Sequence, residues 1–220
     1  MTKTNKVFLE GGVAACKLRG DAKYTVGDIL LYTVYPDKVD GESPSERLGK
    51  IFHRVRVVAP KGMDGELREL DDLVRGGPSG SPVCRQVRGA LKVVDGRAFV
   101  QCDIRNFIKL DRLPVHNNNY TELSGRISEI TYSDMGAVVN VDAGGGQVSA
   151  YASKDMNPAL WELISSGRLG KGEAVSMSGP LLSSEYSDGK HTLRTAMLIM
   201  HKVQSRKLEE RKGPVAGVKI

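Results

Sequence analysis

Four short signatures occur twice in this chain, in the same order. Leu9-Glu-Gly11-Gly-Val13 is matched by Leu123-Ser-Gly125-Arg-Ile127. Leu70-x-x-Leu73-x-x-Gly76 is matched by Leu160-x-x-Leu163, whose glycine comes one place later at Gly167. Val87-Arg-Gly89-Ala-Leu91 parallels Met177-Ser-Gly179-Pro-Leu181, and Asp95-Gly96-Arg97 parallels Asp188-Gly189-Lys190. Four matches in one order indicate an internal duplication, which restricts the chain to two similar units in tandem. Its 220 residues suffice for one large domain or two small ones.

Taken in order, Asn5–Ala15 reads as a strand with Val7, Leu9 and Val13 on one face. Gly11-Gly12 within it predicts a bulge or a sharp bend, as barrel corners require. Asp28–Tyr35 is a second strand, and the Gly-, Pro- and Ser-rich stretch Pro36–Gly49 is a loop. A third strand follows at Ile51–Ala59. Glu66–Arg75 carries Leu67, Leu70, Leu73 and Val74 at helical spacing and is stopped by Gly76-Gly77-Pro78. Val83–Val94 and Arg97–Leu110 flank Asp95-Gly96, the strongest short hairpin signal. Strand, strand, strand, helix, strand, strand is the order of a five-stranded OB-fold barrel.

Residues 113–120, with Pro114 and Asn117-Asn118-Asn119, read as a linker. The order then repeats with strands Leu123–Tyr132, Ala137–Ala143 and Gln147–Ala152, the last two joined by Gly144-Gly145-Gly146. A helix follows over Asp155–Gly167, with Asp155 and Asn157 as alternative caps. Glu173–Ser183 and Lys190–Val203 make the last hairpin. The expected fold is all-β with short helices: two tandem OB-fold five-stranded barrels, over 1–112 and 121–205, and a basic tail over 206–220.

The strand Ile51–Ala59 carries the clearest chemistry. Side chains alternate along a strand, so Phe52, Arg54, Arg56 and Val58 share one face and Ile51, His53, Val55 and Val57 the other. A ring beside two guanidinium groups makes a platform for stacked bases and phosphates. The same stripe also reads as a half-exposed strand with solvated arginines. Hydrophobic content of 40% and charged content of 26% are ordinary for a folded soluble chain, and the net charge of +6 permits a polyanionic partner without requiring one.

No apolar run is long enough to span a bilayer, and the N-terminus has no signal-peptide pattern. Cys16, Cys84 and Cys102 are far apart and form no CxxC, so buried inert thiols in a reducing cytoplasm are expected, with no metal site. Gly144-Gly145-Gly146 and Gly76–Ser81 lack the Gly-Lys-Ser/Thr ending of a phosphate loop, and Asp71-Asp72 read as a solvated helix face. No nucleophile elbow or metal cluster is present, so no enzyme activity and no cofactor are expected.

The first half resembles the bacterial single-stranded DNA-binding protein family. Asn5-Lys6-Val7-x-Leu9-x-Gly11 is similar to that family's opening strand. Phe52-His53-Arg54-Val55 is similar to its Trp-His-Arg-Val strand, with phenylalanine for tryptophan. Leu70–Gly76 and Val87–Leu91 resemble its helix and fourth strand. In the second half, Leu169–Leu181 and Asp188–Thr195 resemble the fourth and fifth strands, whereas Val148-Ser149-Ala150-Tyr151 lacks the aromatic-His-Arg triplet.

The resemblance implies that Phe52 stacks a base, Arg54 contacts the backbone and His53 belongs to a subunit contact. It implies a homodimer with four OB folds in total, and a nucleoid-associated place in the cytoplasm. The stretch Arg206–Ile220 is net basic where the family carries an acidic tip, so recruitment of repair proteins through such a tip is not expected. The basic-plus-aromatic requirement of single-strand binding adds Arg56, Tyr32, Lys92, Arg97 and Phe99 as candidates in the first barrel. Tyr132, Tyr151, Tyr186, Lys190 and Arg194 are the candidates in the second. Trp161 reads as helix packing. The function so implied is coating and protecting single-stranded DNA with little sequence preference in replication, recombination, repair or DNA transfer. An OB-fold assembly protein and an RNA-binding OB protein are the alternatives.

Overall fold

The computed structural model describes residues 4–36, 48–76, 82–95, 97–114, 118–144, 146–187 and 192–205. The described chain divides into two compact units. One comprises Lys6–Thr121 together with Leu181–Ala196, and the other is built on Glu122–Pro180 and the strand ends that follow Met197.

In the first unit β1 (Asn5–Gly20), β2 (Tyr24–Pro36) and β3 (Leu48–Pro60) are long antiparallel strands. Helix α1 (Gly65–Arg75) follows, then β4 (Cys84–Val94) and β5 (Arg97–Asp103). Strand β5 pairs parallel with β3 and antiparallel with β4, and β4 pairs antiparallel with β1. These pairings close a ring in the order β1-β2-β3-β5-β4, which removes the free edges of an open sheet. The expected last strand Arg97–Leu110 is broken by a 3₁₀ turn at Ile104–Asn106, capped by the Asp103 side chain. Its remainder, β6 (Phe107–Leu110), pairs with the start of β4.

Strand β1 serves two neighbours: Val7–Gly12 pair with β4, and Gly12–Gly20 pair with β2. The Gly11-Gly12 pair sits at that handover. A Cβ on Gly11 would lie 1.9 Å from the Tyr32 carbonyl oxygen, so only glycine lets the two backbones approach. The register shift itself falls just beyond, between Val13 and Ala15. At the other hairpin, Asp95 takes the left-handed conformation, φ 50°, which the Asp-Gly turn requires.

The alternating faces follow from sequence. Val7, Leu9, Ile29, Leu31, Val55, Val57, Val87, Leu91 and Val100 are buried inside the ring. Leu67 and Leu70 of α1 are fully buried with them, and Leu67 packs beside Gly27. Asp64, ahead of α1, accepts from the Thr25 hydroxyl at 2.5 Å and from Arg68 at 2.9 Å. Those bonds hold its carboxyl down to about 2 and tie the helix to β2.

His53 shares the interior face with Val55 and Val57 and is 0% exposed, its Nε2 lying 3.0 Å from the Thr33 hydroxyl. Enclosed within the chain, the imidazole lies on the strand face opposite Phe52, Arg54 and Arg56. Burial lowers its pKa from 6.5 to about 4. Above pH 6.5 neither folded nor unfolded chain holds that proton. Between pH 6.5 and 4 the unfolded chain binds it and the folded chain does not, so stability falls with pH, by roughly 1.4 kcal/mol per unit and about 3 kcal/mol in all. Urea unfolding at pH 7 and pH 4.5 should register this loss, and His53→Gln should flatten it. An unchanged pH dependence in the variant would remove His53 as its source.

The second unit repeats the pairing with β7 (Asn119–Ser133), β8 (Gly136–Asp142) and β9 (Gln147–Ser153), all antiparallel neighbours. Helix α2 (Pro158–Ser165) is capped by Asn157, whose side chain accepts from the Leu160 amide. Asp155, the alternative cap, is not used. Leu160 and Ile164 are its buried face.

The expected strand Glu173–Ser183 divides at Pro180, which has no amide hydrogen to continue the ladder, into β10 (Ala174–Gly179) and β11 (Leu181–Ser187). Strand β12 (Thr192–Ile199) runs parallel to β9, and β13 (Lys202–Ser205) pairs with β10 as β6 does with β4. Strand β10 also pairs with β7, closing the sequence of neighbours. Most of the β11–β12 hairpin, Leu181–Ala196, groups with the first unit, where β11 lies against β3. Asn119, within the expected linker, is buried and bonds both the amide and the carbonyl of Leu181.

Candidate nucleic-acid interface

The outward face of β3 continues across β5 and β4. Arg56 pairs with Gln101 and Val55 with Val100, so Phe99 and Gln101 face the same way as Arg54 and Arg56. Lys92 pairs with Phe99 and Val94 with Arg97. The structure thereby brings six sequence-predicted residues, Phe52, Arg54, Arg56, Lys92, Arg97 and Phe99, onto one face of three adjoining strands. Phe52 is 42% exposed, Arg97 is exposed, and the other four are half-buried.

The rings on this face are not equivalent. Phe52 rests at a tilt on Tyr32, centroids 6.0 Å apart. Tyr32 itself is only 9% exposed and lies over Gly12, and the Lys50 ammonium sits 4.6 Å above its ring. Burial raises its phenol pKa. Tyr32 is therefore a support beneath Phe52 and not a stacking surface, because Gly12 across the ladder leaves a slot that its ring fills. Phe99 carries the Arg56 guanidinium 4.2 Å above its ring. Arg56 also donates from Nε to Asp28 at 2.9 Å, and Arg19 donates from Nε to the other Asp28 oxygen at 2.7 Å.

Sequence reasoning missed Lys50, Asp28, Arg88 and Phe8. Lys50 was within reach of the alternation, since it lies two residues before Phe52. Arg88 lies 5.9 Å from the centroid of Phe8, its partner across the β1–β4 ladder. That pair has no local sequence signal, because it exists only once the ring closes.

The corresponding face of the second unit has a different chemistry. Gln147, Ser149 and Tyr151 of β9 align there with Asp142, Asn140 and Val138 of β8. Ser149 donates to Asn140 at 2.8 Å, Asn140 to Glu129 at 3.4 Å and Gln147 to Ser128 at 2.8 Å. These polar groups satisfy one another. Tyr151 lies over Gly136 and donates to the Met135 carbonyl at 2.9 Å. Tyr132 pairs with Ala137, on the opposite face from Tyr151, and donates to the Ile164 carbonyl at 3.2 Å. Its ring meets Trp161 edge-on at 6.2 Å. The two tyrosines are thus held apart, one against α2. Tyr186 and Arg194 fall on β11 and β12, with side chains outside the described residues, and Lys190 and the basic stretch 206–220 also lie outside them.

Charge divides accordingly. Lys6–Thr121 holds 19 Lys and Arg against 15 Asp and Glu, whereas Glu122–Pro180 holds 4 against 7. Among the described residues no group of three His, Cys, Asp or Glu could hold a metal ion, and no helix is long and apolar enough to cross a membrane. Cys102 and Cys84 are buried, and burial pushes the Cys102 thiol up to about 12, which keeps it protonated.

No family model matches the sequence, and no curated protein sequence matches it. Among solved structures the chain is similar to the wild-type single-stranded DNA-binding protein from Thermus aquaticus. The TM-score is 0.61 at 19% identity, over 99% of this chain and 96% of that one. It is also similar to a deletion mutant of the Thermus protein, with TM-score 0.59 at 19% identity over 93% and 96% of the two chains. At this identity the likeness carries the fold: a mostly β chain with two short helices, built like that OB-fold structure.

Proposed function

We propose that the protein binds single-stranded DNA without marked sequence preference, through the outward face of β3, β5 and β4 in the first unit. The observation that carries this reading is the joining of Phe52, Arg54, Arg56, Lys92, Arg97 and Phe99 on one continuous surface. Four cations there neutralise phosphates, and an exposed ring offers every base the same π-face, which makes recognition tolerant of sequence. The fold shared with the Thermus single-stranded DNA-binding protein supports the same reading.

The second unit contributes little to nucleic-acid contact in this proposal, because its corresponding face is acidic and internally hydrogen-bonded. Its role is structural or in assembly, including the pairing of two chains. Light scattering at two protein concentrations tests that pairing, and a monomer at both would end it.

The main test is fluorescence anisotropy of labelled dT oligonucleotides of increasing length, with duplex DNA and poly-U as competitors, at 50 and 200 mM salt. Binding should strengthen in steps with length, weaken as salt rises and resist duplex competition. A single site size matching one unit per chain would agree with a silent second face. Flat titrations at 50 mM salt would refute the proposal. Equal competition by poly-U would leave single-strand binding intact but widen it to RNA.

A further inference from the structure

Arg56 does more than add charge to this face. Its guanidinium lies 4.2 Å above the Phe99 ring, a separation at which a planar cation stacks on an aromatic face. Its Nε is held at 2.9 Å by Asp28, whose other oxygen takes Arg19 at 2.7 Å. The ring beneath and the carboxylate at the edge fix the position of the group from two directions. The Arg56 side chain nevertheless remains 35% exposed, so its outer side meets solvent. Phe99, covered by Arg56, cannot present that ring face to a base. Guanidinium planes stack on nucleobases much as aromatic rings do.

We propose that Arg56 is a base-stacking plane, built on Phe99 and held in place by Asp28, and that it provides a second stacking position on the face that carries Phe52. This rests on the single-strand reading above. Asp28 is then a positioning residue, which explains an acidic side chain on a surface selected for a polyanion. Simple electrostatics assigns it the opposite role, since removing a negative charge from a cationic site strengthens phosphate binding.

Two variants separate these accounts, measured with a dT oligonucleotide and with an abasic oligonucleotide of the same length. Arg56→Lys keeps the charge and loses the plane and its edge bond. It should weaken dT binding about fivefold, the low end of one stacking contact, with the salt slope and abasic binding unchanged. Asp28→Asn should also weaken dT binding, by about threefold, although it makes the site more positive. Thermal melting of each variant confirms the fold, and the Asp28→Asn result stands by itself if Arg56→Lys melts early. Wild-type dT affinity in Arg56→Lys, or tighter binding in Asp28→Asn, would overturn the proposal and leave Arg56 a phosphate contact. Absence of dT binding by the wild-type protein would overturn the single-strand reading instead.

Discussion

Phe52→Ala should weaken binding of a dT oligonucleotide by about 10- to 100-fold while the protein stays folded. Of the rings gathered around Phe52 and Arg56, Tyr32 is buried and Phe99 is covered by Arg56, whereas Phe52 itself is 42% exposed. One base stack is worth roughly 1–3 kcal/mol, which sets the size of the loss. The structural cost is small, because Phe52 contributes one tilted ring contact with Tyr32 at 6.0 Å, worth about 1 kcal/mol. That corresponds to a fall of about 2–4 °C in melting temperature for a chain of this size. Phe52→Leu refines the experiment by keeping apolar bulk over Tyr32 while removing the flat face. It should melt like the wild type and bind like the alanine variant. If both variants bind normally, base stacking lies elsewhere and the platform is wrong.

Gly11→Ala should destabilise the protein by about 3 kcal/mol or more, and Gly179→Ala should do the same in the second unit. The added Cβ would sit 1.9 Å from the Tyr32 carbonyl oxygen in one case and 1.8 Å from the Ile199 carbonyl oxygen in the other. Those obstacles are backbone atoms of paired strands, which cannot swing aside as a side-chain tip can. Overpacking a fitted core costs typically 1–3 kcal/mol, and clashes this deep belong at or beyond the top of that range. Melting temperature should drop by roughly 6–12 °C. Gly65→Ala is the matched control, since a Cβ there meets open space at the start of α1, and it should be neutral or slightly stabilising. A Gly11→Ala protein that melts with the wild type would mean that β1 and β2 do not approach as described.

The same glycines explain why much of the fold was legible in the sequence. Gly11 and Gly89 in the first unit recur as Gly125 and Gly179 in the second. In each case a Cβ would meet a carbonyl oxygen within 2.4 Å. A close approach of two backbones leaves no room for a side chain, so glycine stands at each of these positions. The strand alternation was equally readable, and it placed Phe52, Arg54 and Arg56 on one face before any pairing was known.

What escaped depends on partners distant in sequence. Arg56 and Phe99 meet only through the parallel β3–β5 ladder, and Asp28 reaches Arg56 through the β2–β3 register. Tyr32 looked like a candidate ring because alternation assigns a face without saying whether Gly12 across the ladder leaves room for it. His53 was legible by parity: it alternates with Val55 and Val57, and all three are buried.

The arrangement of the β11–β12 hairpin bears on how the molecule is made. The first unit needs Leu181–Ala196 in addition to Lys6–Thr121, so it is not a contiguous piece of chain. During translation its ring strands are all available once β6 has been synthesised, yet the segment that lies against β3 emerges only after the whole of β7–β10. Until then β3, which bears Phe52 and both arginines, waits without a neighbour it has in the finished protein. Contacts of such long sequence separation are slow to form, and completion of the first unit becomes a late event on the ribosome. A nascent chain therefore completes the surroundings of β3 only after β11 and β12 have been synthesised.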